Sequence, residues 1–297
     1  MDPTQFKARL ASAASRVEAA LDGRLPGPAG NQARVQEAMR YSALAGGKRL
    51  RPFLVIESAR LFGVEGDGPV VAGAALECVH AYSLIHDDLP CMDDDDLRRG
   101  KPTVHKVWDE AIAVLAGDGL LTVAFELMSD AEVHADASVR LDLVRELSLA
   151  SGTLGMIGGQ VVDMTVEEDA RDADLITALQ DMKTGALIRF AARAGAHLGG
   201  ASPEARHHLD SFARELGLIF QITDDLLDVE GDAETVGKAV GKDAGLGKAT
   251  FVSLLGREGA RSKARALADS ARGHLSGFGG RADVLRACVD FVLERDR

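Results

Sequence analysis

"VVAGAALECVHAYSLIHDDLPCMD", Val70–Asp93, is apolar at helical spacing as far as Ile85 and then turns acidic at once. Its apolar residues recur on a 3.6-residue rather than a 2-residue period, which predicts a buried helix. The next residues, "DDDLRRG", bring the count to six aspartates within ten positions, Asp87, Asp88 and Asp93 through Asp96, followed by Arg98 and Arg99. Mutually repelling carboxylates therefore stand at the end of a core helix. Asp87 and Asp93 are six residues apart, roughly 240° around a regular helix, so they share no face of a straight one. Pro90 disfavours helix at Leu89 and removes a backbone donor, which lets the chain loop and return Asp93 towards Asp87.

A second cluster repeats the arrangement. In "HHLDSFARELGLIFQITDDLLD", His207–Asp228, Asp224 and Asp228 are four apart and share a helix face, with Asp225 beside them. Like charges at this spacing cost a few tenths of a kcal/mol on an exposed helix. Flanked by Phe220, Ile222, Leu226 and Leu227, they call for a bound positive partner. One DDxxD alone is more often a solvated acidic face; two, each ending an apolar helix, point to metal. All-carboxylate donors suit a hard cation whose shell is completed by water and phosphate oxygens, hence Mg²⁺, with Mn²⁺ as a substitute. Cys91 reads as a spacer, since a soft thiol does not belong in such a site.

The basic residues point to what such a metal would bridge. "GGKRLRP" (Gly46–Pro52) places Lys48, Arg49 and Arg51 beside a glycine pair, where backbone can approach an anion closely. Arg98 and Arg99 follow the first cluster, Lys183–Thr184 begins another helix, and Lys238, Lys242 and Lys248 dot a Gly-rich stretch after the second. Any one of them is better read as a solvated charge. Together, in a chain of net charge −12, they predict a polyphosphate ligand gripped by Arg and Lys and bridged by metal to Asp. The acidic balance excludes a general nucleic-acid binder.

The 297 residues, 46% hydrophobic and 27% charged, suffice for a large core. Helical spacing predicts helices over 3–21, 31–45, 51–62, 68–89, 109–116, 119–133, 137–151, 153–165, 172–197, 203–229, 250–257, 259–276 and 282–295. Alternating strand runs with hairpin turns are absent from the pattern. Breaks fall at "DGRLPGPAGN", "GVEGDGP", "GGASP" and "EGDAETVGKAVGKDAGLG", and none is long or biased enough to divide the chain. The expected architecture is a single all-α domain over 1–297, a large helical bundle around a central cavity. Three cysteines, Cys78, Cys91 and Cys288, fit no disulfide framework. The N-terminus lacks a signal peptide's apolar region, and no run approaches the about 18–20 apolar residues of a transmembrane segment. A cytoplasmic protein is expected.

At "GGKRLRP", "SLIHDDLPCMDDDDLRRGKPTVH", "AVLAGDGLL", "GGQVVDM", "KTGALI", "FQITDDLLD" and "GKAVGKDAGLGKAT" the chain resembles the trans-isoprenyl diphosphate synthases, most closely the farnesyl and geranylgeranyl diphosphate synthases of bacteria and plastids. The resemblance runs over nearly the whole chain, with the motifs in order. It implies that Asp87 and Asp93, with Asp88 assisting, bind Mg²⁺, and that Asp224, Asp225 and Asp228 hold a further ion. It implies that Lys48, Arg51, His80 and Arg99 bind isopentenyl diphosphate. Arg98, Lys183, Thr184, Gln221, Lys238 and Lys248 would grip the allylic diphosphate; of these Lys183, with the aspartates, is expected to be catalytic. His80 by itself would more often be a core histidine. The implied reaction is ionisation of the allylic diphosphate, attack by the isopentenyl double bond, and loss of a proton, in the family to the departing diphosphate. Apolar helix faces would keep water from the cation. A homodimer, with active sites within each subunit, is implied as well.

Chain length is expected to be set on the helix that carries Asp87. Ser83, four before it, lies on the same face one turn deeper. Tyr82 sits ~7.5 Å below at a rise of 1.5 Å per residue. In the family, bulk here together with the two-residue insertion in the aspartate motif is associated with stopping at fifteen carbons, so Tyr82 is expected to be a floor giving (2E,6E)-farnesyl diphosphate. The competing reading of Tyr82 is core packing. "SLIHDDLPCMD" also resembles plastid geranylgeranyl synthases, so a twenty-carbon product is the leading alternative. A terpene cyclase would need only one diphosphate site, against which "GGKRLRP" and the second DDxxD both speak. A non-catalytic partner subunit would be expected to have eroded one motif, and a calcium-binding or structural helical protein leaves the basic residues unexplained.

Overall fold

The computed structural model describes residues 1–166, 172–230 and 250–295. Among them the regular structure is helical, apart from one hairpin of two-residue strands. In order run α1 (Pro3–Arg24), α2 (Ala33–Ala43), α3 (Leu50–Arg60), α4 (Gly68–Asp87), β1 (Leu97–Arg98), β2 (Lys101–Pro102) and α5 (Val104–Val107). These are followed by α6 (Glu110–Ser129), α7 (Ala137–Ser151), α8 (Met156–Thr165), α9 (Ala173–Gln180), a π turn (Asp181–Gly185), α10 (Ala186–Leu198) and α11 (Pro203–Glu230). Two more, α12 (Phe251–His274) and α13 (Asp283–Leu293), complete the order.

The chain divides into two compact units. One comprises Met1–Phe6, Glu57–Gly63 and Arg145–Arg297, the other Lys7–Ile56 and Val64–Val144. In the second unit α4 is the central helix: fourteen of its twenty residues are buried, among them Leu76 and Ile85. Helix α6 lies against it because Gly117 leaves room. A Cβ there would stand 2.1 Å from His86 Nε2, and one on Gly119 would stand 2.8 Å from Met39 Sδ. The pattern places a break between 116 and 119, yet α6 runs unbroken through both glycines. They are points of close approach between helices, which the sequence cannot distinguish from breakers. In the first unit Ile176, Leu218, Ile222, Leu226, Phe251, Val252, Ala260 and Ala264 form a core beneath the second aspartate cluster.

Other differences from the sequence pattern are smaller. Residues 172–197 are not one uniform helix but α9 and α10 joined through the π turn. At Gly256, φ of +67° kinks α12 where the pattern divides two helices. Leu97 pairs with Pro102 and Arg98 with Lys101 around Arg99 (φ 54°) and Gly100 (φ 75°). Two positive-φ residues in a two-residue loop make the turn that the twist of a hairpin prefers. Helices α4 and α6 are long and apolar enough by mean hydropathy to cross a membrane, although uninterrupted runs gave no such expectation; 78% of the α4 window and 39% of the α6 window are buried within the protein.

Candidate active site

Helix α4 ends at Asp87, and the chain then does what Pro90 permits. Asp93 N–H donates to the Asp87 carbonyl at 2.9 Å, and Asp94 N–H to the Leu89 carbonyl at 3.2 Å. The loop therefore folds back and returns Asp93 to Asp87, both half-buried. Asp88 is buried and faces Arg98, whose Nε donates to its Oδ1 at 2.6 Å. Burial raises the Asp88 carboxyl above the ordinary value, and Arg98 opposes that rise. Farther out, Asp94, Asp96 and His105 bring ligand atoms within 4.8 Å of one another, but Lys106 Nζ already stands 2.7 Å from Asp96. Cys91 is exposed.

The same unit gathers the cations. Arg99 Nη1 donates to the Gly46 carbonyl, tying the hairpin to the "GGKRLRP" turn. Gly47, at φ +131°, has no room for a Cβ, which would lie 2.8 Å from that same Nη1. Lys48 is exposed and Arg51 half-buried. Arg49, their neighbour in the motif, turns inward instead. Its Nη1 donates to Glu77 Oε1 at 2.6 Å and its Nη2 to the Ala43 carbonyl at 2.7 Å, with side chains only 1% and 4% exposed. His80 is driven well below the ordinary imidazole value, first by loss of water, then by Arg51, Arg99, Arg49 and Arg98. It is neutral in a strongly positive surround.

That depression has a sign. Between its lowered folded value and the ordinary 6.5, His80 takes up a proton only in the unfolded chain. Stability is then present in full above 6.5 and falls as the pH drops below it. Replacing His80 with glutamine is expected to flatten the loss of urea stability between pH 6.5 and 5; an unchanged slope would show that other groups carry it.

Tyr82 is 5% exposed, its ring set edge-on to His86 at 5.7 Å, and its hydroxyl meets no hydrogen-bond partner among the described residues. Burial, with Asp87 adding, pushes the phenol up to about 12. Ser83 Oγ donates to the His80 carbonyl at 3.0 Å.

In the other unit the second cluster sits on α11. Asp225 and Asp228 are buried. Asp225 Oδ1 accepts from Gln221 Nε2 at 2.9 Å and its Oδ2 from the Phe251 N–H at 2.8 Å. Thr184 Oγ1 donates to Gln221 Oε1 at 3.4 Å, so the π turn and the cluster share one hydrogen-bonded chain. Lys183 Nζ donates to Asp163 Oδ2 at 2.7 Å. Asp224 Oδ1 accepts from Arg295 Nη2 at 2.7 Å, while the Arg295 guanidinium lies 3.8 Å from the centre of the Phe220 ring. Asp163 lies within the "GGQVVDM" motif, but nothing there names it as the partner of Lys183, and Arg295 lies in no motif; both are far from their partners in sequence. Lys238, Lys242 and Lys248 lie outside the described residues.

Each cluster thus offers oxygen donors only, a set that fits a hard divalent cation. The comparisons with known proteins supply the family. Residues 32–278 match the polyprenyl synthetase family, and the chain belongs to it. It is a prenyltransferase. Farnesyl diphosphate synthase of Escherichia coli is 48% identical over 268 residues, 89% of this chain and 90% of the relative. A chloroplastic geranylgeranyl pyrophosphate synthase of Capsicum annuum is 44% identical over 88% of this chain and 72% of the relative. Among solved structures, an FPP/GFPP synthase from Zymomonas mobilis superposes with a TM-score of 0.89 at 46% identity, covering 98% of this chain and all of the other.

Proposed function

We propose that this prenyltransferase condenses isopentenyl diphosphate with dimethylallyl or geranyl diphosphate to give (2E,6E)-farnesyl diphosphate. The observation that carries the reading is the join between Arg99 and the Gly46 carbonyl. It sets the Lys48–Arg51 turn beside the segment that follows a helix ending in Asp87 and Asp88. Cations suited to phosphate and carboxylates suited to metal thus come from one compact unit, and the arginines around His80 support reading this face as anion-binding.

In this reading Lys48, Arg51 and Arg99 neutralise the isopentenyl diphosphate, and neutral His80 contributes a hydrogen bond without adding charge. Arg98, Lys183, Thr184 and Gln221, with Lys238 and Lys248, hold the allylic diphosphate. Asp87, Asp88 and Asp93 would hold Mg²⁺, as would Asp224, Asp225 and Asp228. When bound, Mg²⁺ supplies Lewis-acid stabilisation of the negative charge that grows on the leaving diphosphate. Lys183 adds a positive charge where that oxygen departs, and Gln221 and the Phe251 N–H fix the orientation of Asp225. No side-chain base is assigned to the final deprotonation; the departing diphosphate accepts the proton. Tyr82 is proposed as the floor for chain growth. A single 1–297 domain, a homodimer and a cytoplasmic location belong to the same proposal. A twenty-carbon product is the second reading, favoured by the similarity to a geranylgeranyl pyrophosphate synthase.

Labelled isopentenyl diphosphate supplied with dimethylallyl diphosphate is expected to enter acid-labile product. EDTA should abolish incorporation, and Mg²⁺ in excess should restore it. Incorporation that persists in EDTA would remove the metal from the reading. No incorporation under any condition would remove the reaction itself.

A further inference from the structure

Helix α10 carries Arg189, Arg193 and His197 four residues apart, so all three share one face. They meet a set of acids that the proposed chemistry does not use. Arg189 holds Asp210 of α11 with a two-pronged grip, Nε to Oδ1 at 3.1 Å and Nη2 to Oδ2 at 2.8 Å. Its third nitrogen, Nη1, donates to Asp181 Oδ2 at 3.2 Å. Arg193 pairs with Asp210 and with Glu146, and His197 with Glu146, but neither reaches Asp181 among the contacts described. Asp181 is the first residue of the π turn, two before Lys183. Its other oxygen, Oδ1, is buried against Gly185, where a Cβ would come within 2.9 Å.

A π turn carries one residue more than the α-helix wants, and it persists only where its surroundings hold it. Here two helices press on it through glycines. A Cβ on Gly159 of α8 would lie 2.4 Å from Lys183 N, and one on Gly217 of α11 would lie 3.2 Å from Gly185 Cα. A further hold is the Arg189–Asp181 bond, anchored to α11 through Asp210; Arg214 of α11, largely exposed, faces the same Asp181 oxygen at the longer distance of 3.8 Å. If the turn relaxed to α-helix by shedding its extra residue, Lys183 would rotate by about 100° relative to α10. It would then lose Asp163, and Thr184 would lose Gln221.

We infer that Arg189 is a positioning residue, which through Asp181 keeps the π turn in the form that aims Lys183 Nζ and Thr184 Oγ1. The inference rests on the reading in which those two groups bind the allylic diphosphate. Arginine is suited to the place because its planar fork grips Asp210 with two N–H groups and still offers a third to Asp181, a geometry that lysine's single ammonium does not reproduce.

The test compares Arg189→Gln, Asp181→Ala and Arg193→Gln in the full-length protein with Mg²⁺, geranyl diphosphate and isopentenyl diphosphate. Arg189→Gln and Asp181→Ala are each expected to raise KM for geranyl diphosphate roughly tenfold, while KM for isopentenyl diphosphate moves less than about twofold. In its allylic KM the double variant should be no worse than the poorer single one, because the bond they share is the one that acts on the turn. Arg193→Gln, on the same face, loses only the longer ion pairs at 3.3 and 3.7 Å, so its melting temperature should fall less, with the allylic KM unchanged. Arg189→Lys should recover only part of the loss. Equal KM shifts for Arg189→Gln and Arg193→Gln, or a lowered melting temperature with no KM shift, would reduce Arg189 to packing and overturn the inference. Should Arg189→Gln fail to fold, an unchanged allylic KM in Asp181→Ala overturns it alone. A wild-type protein that condenses nothing would instead bring down the reading of function.

Discussion

Replacing Asp87 with asparagine is expected to lower kcat/KM by roughly 10²–10³-fold, the scale on which one preorganised electrostatic group acts on a developing charge. The folded protein should not suffer. Asp87 is the last residue of α4 and Asp88 its cap. Negative charge at a helix C-terminus opposes the macrodipole by about 0.3–1 kcal/mol, which works against its attraction to the Arg98 guanidinium. Removing one charge should leave the unfolding midpoint close to its wild-type value. A large loss of activity with little change in stability is the mark of carboxylates kept for a ligand rather than for the fold. Asp94→Asn, on the exposed side of the same loop, serves as the control and should keep most of the activity. Equal losses from both substitutions would mean that the loop's total charge matters and not the placement of Asp87. Full activity in Asp87→Asn would remove it from the site.

Replacing Arg49 with alanine is expected to do the reverse, with a loss of about 3–5 kcal/mol of stability. Arg49 and Glu77 form a pair 2.6 Å apart with almost no solvent contact. Taking away the arginine leaves the Glu77 carboxylate buried without its counter-ion and the Ala43 carbonyl without its donor. Most of the loss lies in that stranded charge rather than in the absent bond, so a double replacement, Arg49→Met with Glu77→Leu, should recover much of it. Urea titration of the three proteins decides the matter. A single variant within about 1 kcal/mol of wild type would show that water reaches Glu77 and that the pair is not the internal support described here.

These two arginine-and-acid systems show how much of the protein is legible beforehand. The acid loop is readable because its ingredients are local: Pro90 cannot continue a helix, and the 2.9 Å bond from Asp93 to Asp87 spans only six residues. The long amphipathic helices are readable for the same reason. What escapes is whatever depends on a distant partner. Arg49 sits between Lys48 and Arg51 in one basic run, and nothing local tells that it turns inward to Glu77, 28 residues away. Gly117 and Gly119 carry the composition of a helix break, but His86 and Met39 fill the space beside them. The π turn looks like ordinary helix, since its cause lies in Gly159, Gly217 and Arg189. Arg295 stands 71 residues beyond Asp224, and no spacing rule connects them. The hairpin at Arg98–Lys101 is too short for alternation to appear.

The central claim is the identity of the reaction and of its product. Its most direct test is to give the purified protein isopentenyl diphosphate with geranyl diphosphate and Mg²⁺, dephosphorylate the products and size the prenols, in wild type and in Tyr82→Ala. The expected wild-type product is a fifteen-carbon alcohol, with Tyr82→Ala shifting output to longer chains. A wild-type product of twenty carbons or more would keep the transferase chemistry and contradict the farnesyl assignment along with the role of Tyr82. The absence of any condensation product would contradict the account as a whole.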